Sequence, residues 1–113
     1  MLPSPWITRF SPLIADNGLV LDLACGEGRH TRFLTEGGHP VVALDRNEAG
    51  LQPLGNLTGA EIIVADLENG SPWPLAGRQF AGIIVTNYLH RPLFPAIVGA
   101  LAKDGILLYE TFA

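Results

Sequence analysis

One ten-residue stretch constrains the fold of this chain more than any other, because an apolar strand runs through it into a glycine turn and a helix. The stretch reads VLDLACGEGR and covers residues 20–29. Gly26 and Gly28 allow a sharp turn, and the free N–H groups at the start of the following helix face that turn. Asp22 lies inside the apolar strand, where a carboxylate costs stability unless it is paired. Doubly wound sheets hold nucleotide-like ligands at such a strand–helix junction.

The rest of the chain alternates near-continuous apolar runs with helical or loop segments, which indicates parallel strands buried on both faces. We predict strands over residues 19–24, 40–44, 62–65, 81–86 and from 106 to 110 or 111. We predict helices over 28–36 and 95–102, one or two helical turns within 47–57 and an ordered loop over 68–79. Right-handed crossovers and one reversal after the third strand give the order 3-2-1-4-5. The predicted fold class is a three-layer α/β/α sandwich with a doubly wound, mainly parallel sheet.

We predict a single domain over residues 1–113, with an N-terminal helical segment over residues 1–18. Ser4 is in the position of a helix cap, and Pro5 suits the first helical position. Apolar residues then recur at helical spacing, but Pro12 predicts a short or kinked helix.

Composition excludes several classes of function. The formal charge is −4, and Lys103 is the only lysine. The sequence therefore has no basic stripe of the kind that binds nucleic acid. Cys25 is the single cysteine, which leaves no disulfide framework or cysteine metal cluster and fits a reducing cytoplasm. Neither His30 nor His39 has a partner at metal-ligand spacing, so no metal site is predicted. The N-terminus lacks a signal-peptide pattern, and the apolar runs are too short to cross a bilayer, so we expect a soluble, cytoplasmic protein.

Two aspartates follow strands at the edge of the sheet where a ligand is expected. Asp45 closes the second strand, at the place where an acid accepts hydrogen bonds from both ribose hydroxyls in dinucleotide-binding folds. Asp66 follows the third strand and has the same relative place, where it can accept from an exocyclic amine. The alternative for each is a local role, as a turn residue or as a helix cap.

Taken together, these motifs resemble the class I S-adenosylmethionine-dependent methyltransferases. VLDLACGEG is close to that family's first motif, and VALD, VADL and IIVTNY occupy the places of the next three. LAKDGILL resembles the step from helix to fifth strand, so the resemblance covers nearly all of the chain from Leu19 onward. It implies S-adenosylmethionine as the cofactor and methyl transfer as the activity, which would make the chain an enzyme.

The resemblance also implies where each part of the cofactor lies. The backbone around Ala24, Cys25, Gly26 and Gly28 would line the methionine part. Asp22 would organise this loop and the ligand's amino group, and Thr86 and Asn87 would lie under the sulfonium and the methionine tail. The residues expected along the adenosine part are Asp45 at the ribose, Arg46 beside the adenine, and Asp66 and Leu67 at the adenine amine and ring.

A nicotinamide-dependent dehydrogenase is the rival interpretation within the same architecture. Its fingerprint requires a third glycine, where this chain has Thr31. The Asn–Pro–Pro–aromatic tetrad of amino-group methyltransferases is also absent, because Asn87 is followed by Tyr-Leu.

His90 is the candidate base if the acceptor must lose a proton, and its alternative role is that of a helix cap. Arg91 would bind an acidic acceptor or pair with a nearby acid.

The family's domain normally continues past the fifth strand, whereas this sequence stops two or three residues after the predicted one. We therefore expect either a fragment of a longer product or a partner that covers the exposed edge, with a homodimer contact through the fifth strand as our hypothesis. We predict a methyltransferase that acts on a small-molecule acceptor. The alternative is a non-catalytic subunit that binds S-adenosylmethionine or S-adenosylhomocysteine, or acts as a scaffold.

Overall fold

The sheet has the architecture that the apolar runs predict. In the computed structural model, which describes residues 2–111, five strands form one parallel sheet in the order β3-β2-β1-β4-β5. The strands are β1 (Val20–Leu23), β2 (Val41–Asp45), β3 (Ala60–Val64), β4 (Phe80–Thr86) and β5 (Leu101–Glu110). The strand order reverses between β1 and β4, which pair directly. The doubly wound α/β fold is therefore confirmed, and the carboxyl ends of β1 and β4 meet at the switch point.

Four short α-helices connect and flank the strands. They are α1 (Pro5–Phe10), α2 (Arg29–Glu36), α3 (Glu48–Leu51) and α4 (Phe94–Gly99). Short 3₁₀ turns follow α1 and α3 and precede α4. The interruption predicted at Pro12 is confirmed, because α1 ends at Phe10 and a 3₁₀ turn over Ser11–Leu13 takes its place. None of the helices in residues 2–111 has the length and apolar character needed to cross a membrane.

The core lies on both faces of the sheet because alternate strand residues point to opposite sides. On one face, α1, α2 and α3 bury Ile7, Leu34 and Leu51, each at most 1% exposed. On the other face, Ile97 of α4 and Leu75 of the loop before β4 pack against the strands. These two apolar layers make the three-layer sandwich.

The predicted boundaries near the end of the chain are wrong. β5 begins at Leu101, inside the helix predicted over 95–102, and α4 is correspondingly shorter. Leu101 pairs with Phe80, but the next pair joins Gly82 to Ile106, so the intervening Ala-Lys-Asp-Gly segment bulges out of the ladder. A polar, glycine-containing segment that suggests a break between a helix and a strand is thus a bulge within one strand.

Ser4 does not cap α1 as predicted, although the helix begins at Pro5. The Ser4 side chain makes no hydrogen bond to the helix, and its hydroxyl donates instead to Glu110 Oε1 at the end of β5. A hydrogen bond to a carboxylate is stronger than the neutral bond of a helix cap, and it directs the Ser4 hydroxyl toward the sheet. The start of α1 is therefore fixed to the carboxyl edge of the sheet.

Candidate active site

The loop between β1 and α2 turns through left-handed backbone conformations. Ala24, Gly26 and Gly28 have φ angles of 54°, 59° and 82°. The N–H of Cys25 donates to the Leu44 carbonyl at 3.0 Å, and the N–H of Gly28 donates to the Cys25 carbonyl at 3.0 Å. The left-handed conformation is unfavourable for alanine, and such strain concentrates at ligand sites.

Two cavities open on either side of this loop at the carboxyl edge of the sheet. The larger, which we call the glycine-loop cavity, has a volume of about 760 Å³. Its neighbour, the acidic cavity, has a volume of about 510 Å³. Ala24 and Asn87 line both cavities, so the two cavities adjoin each other. Nine of the predicted cofactor residues line at least one cavity: Ala24, Cys25, Gly26, Asp45, Arg46, Asp66, Leu67, Thr86 and Asn87.

Asp45 is held against the glycine loop by backbone hydrogen bonds. Its Oδ2 accepts from the Gly26 N–H at 2.8 Å, and its Oδ1 accepts from the Asn47 N–H at 2.9 Å. A carboxylate has about four lone-pair sites, so each oxygen retains capacity for a further donor. The local role considered for this aspartate and a ligand role are therefore compatible, and Asp45 can accept from a diol in the acidic cavity.

Asp66 also combines a local bond with a place in the cavity wall. Its Oδ1 accepts from the Glu68 N–H at 2.9 Å, which is the turn interaction named above as the alternative. Asp66 is exposed and lines the acidic cavity with Leu67 and Glu68. This wall presents two carboxylates beside an apolar side chain, which suits the amine edge and the ring of a purine.

Glu68, which the sequence analysis did not single out, links two residues that follow β4. Its Oε2 accepts from the Tyr88 hydroxyl at 3.1 Å, and its Oε1 lies 3.3 Å from His90 Nδ1. Burial, with a contribution from Glu68, raises the pKa of Tyr88 to about 12. His90 is half-buried beside Glu68 and is not among the residues that line either cavity.

Asn87 marks the carboxyl end of β4, between the two cavities. It is exposed, has a φ of 55°, and its N–H donates to the Glu110 carbonyl at 2.8 Å. Asparagine tolerates this left-handed conformation better than most residues. Thr86 precedes it in the wall of the glycine-loop cavity. Both residues therefore contribute to the cavity walls from the strand that neighbours β1.

Two predicted cofactor residues lie behind the loop, outside both cavity walls. Asp22 is 1% exposed and accepts from Thr31 Oγ1 at 2.7 Å, which ties β1 to the first turn of α2. Burial raises the pKa of Asp22 from 3.8 to about 7. Gly28 is buried against Leu54, and a Cβ there would lie 2.4 Å from Leu54 Cδ1. In the described structure, both residues support the loop from behind.

Arg29 is a cavity residue that sequence reasoning missed. It follows Gly28 directly and lines the glycine-loop cavity, together with Arg32 one helical turn further on. The adjacency to the glycine turn was a usable signal, because the first residues of the helix face whatever the turn holds.

Comparison with solved structures shows the same fold in several methyltransferases. Coclaurine N-methyltransferase bound to N-methylheliamine and S-adenosylhomocysteine has a TM-score of 0.74 at 22% identity, over 92% of this chain and 33% of that chain. A TehB-like SAM-dependent methyltransferase from Corynebacterium glutamicum has a TM-score of 0.73 at 23% identity, over 89% of this chain and 60% of that chain. DhpI in a complex with SAM and HEP has a TM-score of 0.65 at 27% identity, over 93% of this chain and 55% of that chain. The chain thus spans between 33% and 60% of the length of these structures.

The family comparison covers most of the chain. The profile described as "Methyltransferase domain" matches residues 20–105, which include β1, all the residues that line the two cavities and the first half of β5. No curated protein matches the sequence. The resemblance inferred from the motifs is confirmed, and with it S-adenosylmethionine as the cofactor of the family. The chain belongs to the methyltransferase-domain family and has the fold of the class I S-adenosylmethionine-dependent methyltransferases.

Proposed function

We propose that this chain binds S-adenosylmethionine across its two cavities and transfers the methyl group to a small-molecule acceptor. The observation that carries the proposal is the sharing of Ala24 and Asn87 between the cavity walls. The adenosine part fits the acidic cavity, where Asp45 accepts from the ribose hydroxyls and Asp66 from the adenine amine. The methionine part then fits the glycine-loop cavity. This orientation places the sulfonium beside Thr86 and Asn87.

Methyl transfer is an in-line displacement, so these residues act mainly by positioning. The bond from sulfur to the methyl carbon breaks with its electron pair on sulfur, as a lone pair of the acceptor forms the new bond. In this proposal, the Asn87 side chain contacts the reacting groups, while Ala24 and Gly26 offer backbone that a ligand can approach closely.

A base is required only when the acceptor must lose a proton. We propose His90 for this step. His90 Nδ1 lies 3.3 Å from Glu68 Oε1, so this carboxylate can hold the ring in place while the imidazole accepts that proton. Because His90 lies beside Glu68, which lines the acidic cavity, this role applies to an acceptor that approaches on that side. A kcat that falls in His90→Gln while the cofactor affinity is unchanged would support it, and an unchanged kcat would contradict it.

The geometry at Thr31 disfavours a nicotinamide-dependent dehydrogenase. Thr31 occupies the place of the third glycine, is fully buried and is hydrogen-bonded to Asp22. In dehydrogenases this glycine lets the helix pack closely on the strand, whereas here the Thr31 side chain lies at that contact.

Calorimetric titration with S-adenosylmethionine, S-adenosylhomocysteine and NADH tests the proposed cofactor. We expect micromolar binding of the first two and none of NADH. Asp45→Asn and Asp66→Asn should each weaken binding roughly tenfold to hundredfold, because hydrogen bonds to a charged group are lost. The matched control is Asp16→Asn, an exposed aspartate outside both cavity walls, which should bind as the wild type does. Absence of binding by folded wild-type protein would refute the proposal.

Turnover distinguishes an enzyme from a non-catalytic binder. Production of S-adenosylhomocysteine with a panel of small-molecule acceptors would support the enzyme. Cofactor binding without turnover over the whole panel would favour the binding subunit. A homodimer contact through the β5 edge and a cytoplasmic location stay predictions, and light scattering tests the first.

A further inference from the structure

Glu68 joins the ends of two strands that are not neighbours in the sheet. It follows β3, whereas its side-chain partners Tyr88 and His90 follow β4. Because β2 and β1 lie between these strands, the two strand ends are roughly 14 Å apart at the usual spacing of neighbouring strands. The contacts of Glu68 therefore connect opposite sides of the carboxyl edge, where the acidic cavity opens.

The two carboxylate oxygens of Glu68 have separate partners. Oε2 accepts from the Tyr88 hydroxyl at 3.1 Å, and Oε1 lies 3.3 Å from His90 Nδ1. Burial, with a further contribution from Glu68, raises the pKa of Tyr88 to about 12, so the hydroxyl keeps the proton that it donates. Because 45% of the Glu68 side chain is exposed, these two contacts hold it in place more than burial does.

On the β3 side, Glu68 is linked to the wall proposed for adenine. Its backbone N–H donates to Asp66 Oδ1 at 2.9 Å, and Leu67 between them packs against the core. Residues 68–72 are all exposed, so few buried contacts fix this segment. A ligand that binds Asp66 would therefore also fix the backbone from which the Glu68 side chain extends.

On the β4 side, the backbone is already fixed, and the two rings are the parts that can respond. The Asn87 N–H and the Tyr88 carbonyl are both hydrogen-bonded to β5, the carbonyl through the Tyr109 hydroxyl. His90 is not among the residues that line either cavity, so a ligand within the cavities acts on this ring through Glu68.

We propose that Glu68 is a positioning residue that couples occupancy of the acidic cavity to the orientation of the Tyr88 and His90 rings. This inference rests on the proposed function, which puts the adenosine part in that cavity and the acceptor beside His90. Adenosine bound at Asp66 orders the Glu68 segment, and the carboxylate then holds both rings. The bound cofactor thus prepares the acceptor side of the site, so the acceptor binds more tightly after the cofactor.

The imidazole signals of the three histidines in NMR spectra test this coupling without an acceptor. The probe is 5′-methylthioadenosine, which keeps the adenosine and lacks the amino-acid tail, and the spectrum of His90→Gln assigns the signal. Saturation with the probe should shift the His90 signal in the wild type. It should leave the His39 signal unchanged, because this ring lies 2.9 Å from the Gly18 carbonyl, at the opposite edge of the sheet.

Variants of Glu68 show whether the response passes through this side chain. The His90 response should be lost in Glu68→Ala, and it should be partly retained in Glu68→Gln, whose amide oxygen can still accept a hydrogen bond. Glu36→Ala is the matched control, since Glu36 is exposed and lines neither cavity, and it should respond as the wild type does. Each protein is compared at saturation, checked by calorimetry, so that a change in affinity alone does not alter the result.

A His90 signal that still shifts fully in Glu68→Ala, or that does not shift in the saturated wild type, would overturn the proposal. An equal loss of the response in Glu36→Ala would do the same, because the response would then depend on the fold as a whole. Failure of the wild type to bind both 5′-methylthioadenosine and S-adenosylhomocysteine would instead refute the cofactor site itself.

Discussion

Replacing Asp22 by asparagine isolates the cost of burying a carboxylate in β1. Burial raises the pKa of Asp22 to about 7 from 3.8, so the folded chain keeps this proton to higher pH than the unfolded chain does. The resulting stabilisation is present below about pH 4 and is lost as the pH rises through 7. Between pH 5 and pH 8 the loss is about 3 kcal/mol, since one pKa unit corresponds to about 1.4 kcal/mol.

The amide introduced by Asp22→Asn has no proton to lose over this range, and its oxygen can still accept from Thr31 Oγ1. The free energy of unfolding of Asp22→Asn, taken relative to the wild type, should therefore rise by about 3 kcal/mol between pH 5 and pH 8. Urea unfolding of both proteins at the two pH values measures this change. Other groups titrate in both proteins, so their contributions cancel in the difference.

Asp16→Asn is the matched control, because Asp16 is exposed and loses little hydration on folding. Its stability relative to the wild type should vary by well under 1 kcal/mol over the same range. A change of less than about 1 kcal/mol in Asp22→Asn would refute the reasoning, because the burial of the carboxylate would then carry little of the expected cost.

Three further predictions concern stability and are checked by urea or thermal unfolding. Gly28→Ala should destabilise the fold by more than about 2 kcal/mol, because the strain of the left-handed backbone adds to a clash with Leu54. Gly26→Ala should cost about 1 kcal/mol, because its backbone is also left-handed but no atom lies within 4 Å of the added Cβ. Equal costs would contradict this account. Burial lowers the pKa of His30 from 6.5 to about 4, so the unfolded chain binds a proton at this histidine before the folded chain does as the pH falls. The wild type should therefore lose about 2 kcal/mol of stability relative to His30→Gln between pH 7 and pH 5. A stability difference that does not change with pH would contradict this prediction. Phe80→Ala should cost about 3–5 kcal/mol, since Phe80 is fully buried, and a loss below about 1 kcal/mol would show that the site collapses around the smaller side chain.

The fold followed from local patterns because each strand is a short apolar run with its own boundaries. The five runs, the glycine turn and the right-handed crossover rule were sufficient for the strand order. The register of β5 was not accessible in this way. Its bulge depends on how Leu101 and Ile106 pair with β4, and pairing between distant strands leaves no local signature.

In the candidate site, too, the sequence predicts the residues that have a local pattern and misses the features that depend on distant contacts. Asp45 and Asp66 were accessible because an acid directly after an apolar strand must lie at the ligand edge of a parallel sheet. The position of Asp22 behind the loop was not, because the sequence shows that it is buried but not that Thr31 would pair with it. The left-handed backbone of Ala24 was also hidden, since alanine carries no preference for that conformation.

The hydrogen bond between Ser4 and Glu110 joins residues separated by 106 positions, and this has a consequence for the order of folding. Closing so long a loop is entropically costly before the intervening strands have paired, so the bond forms late. During synthesis it must wait until β5 has left the ribosome, long after β1, α2 and the glycine turn are available to associate. The central strands should therefore pair before residues 2–4 dock against the end of β5.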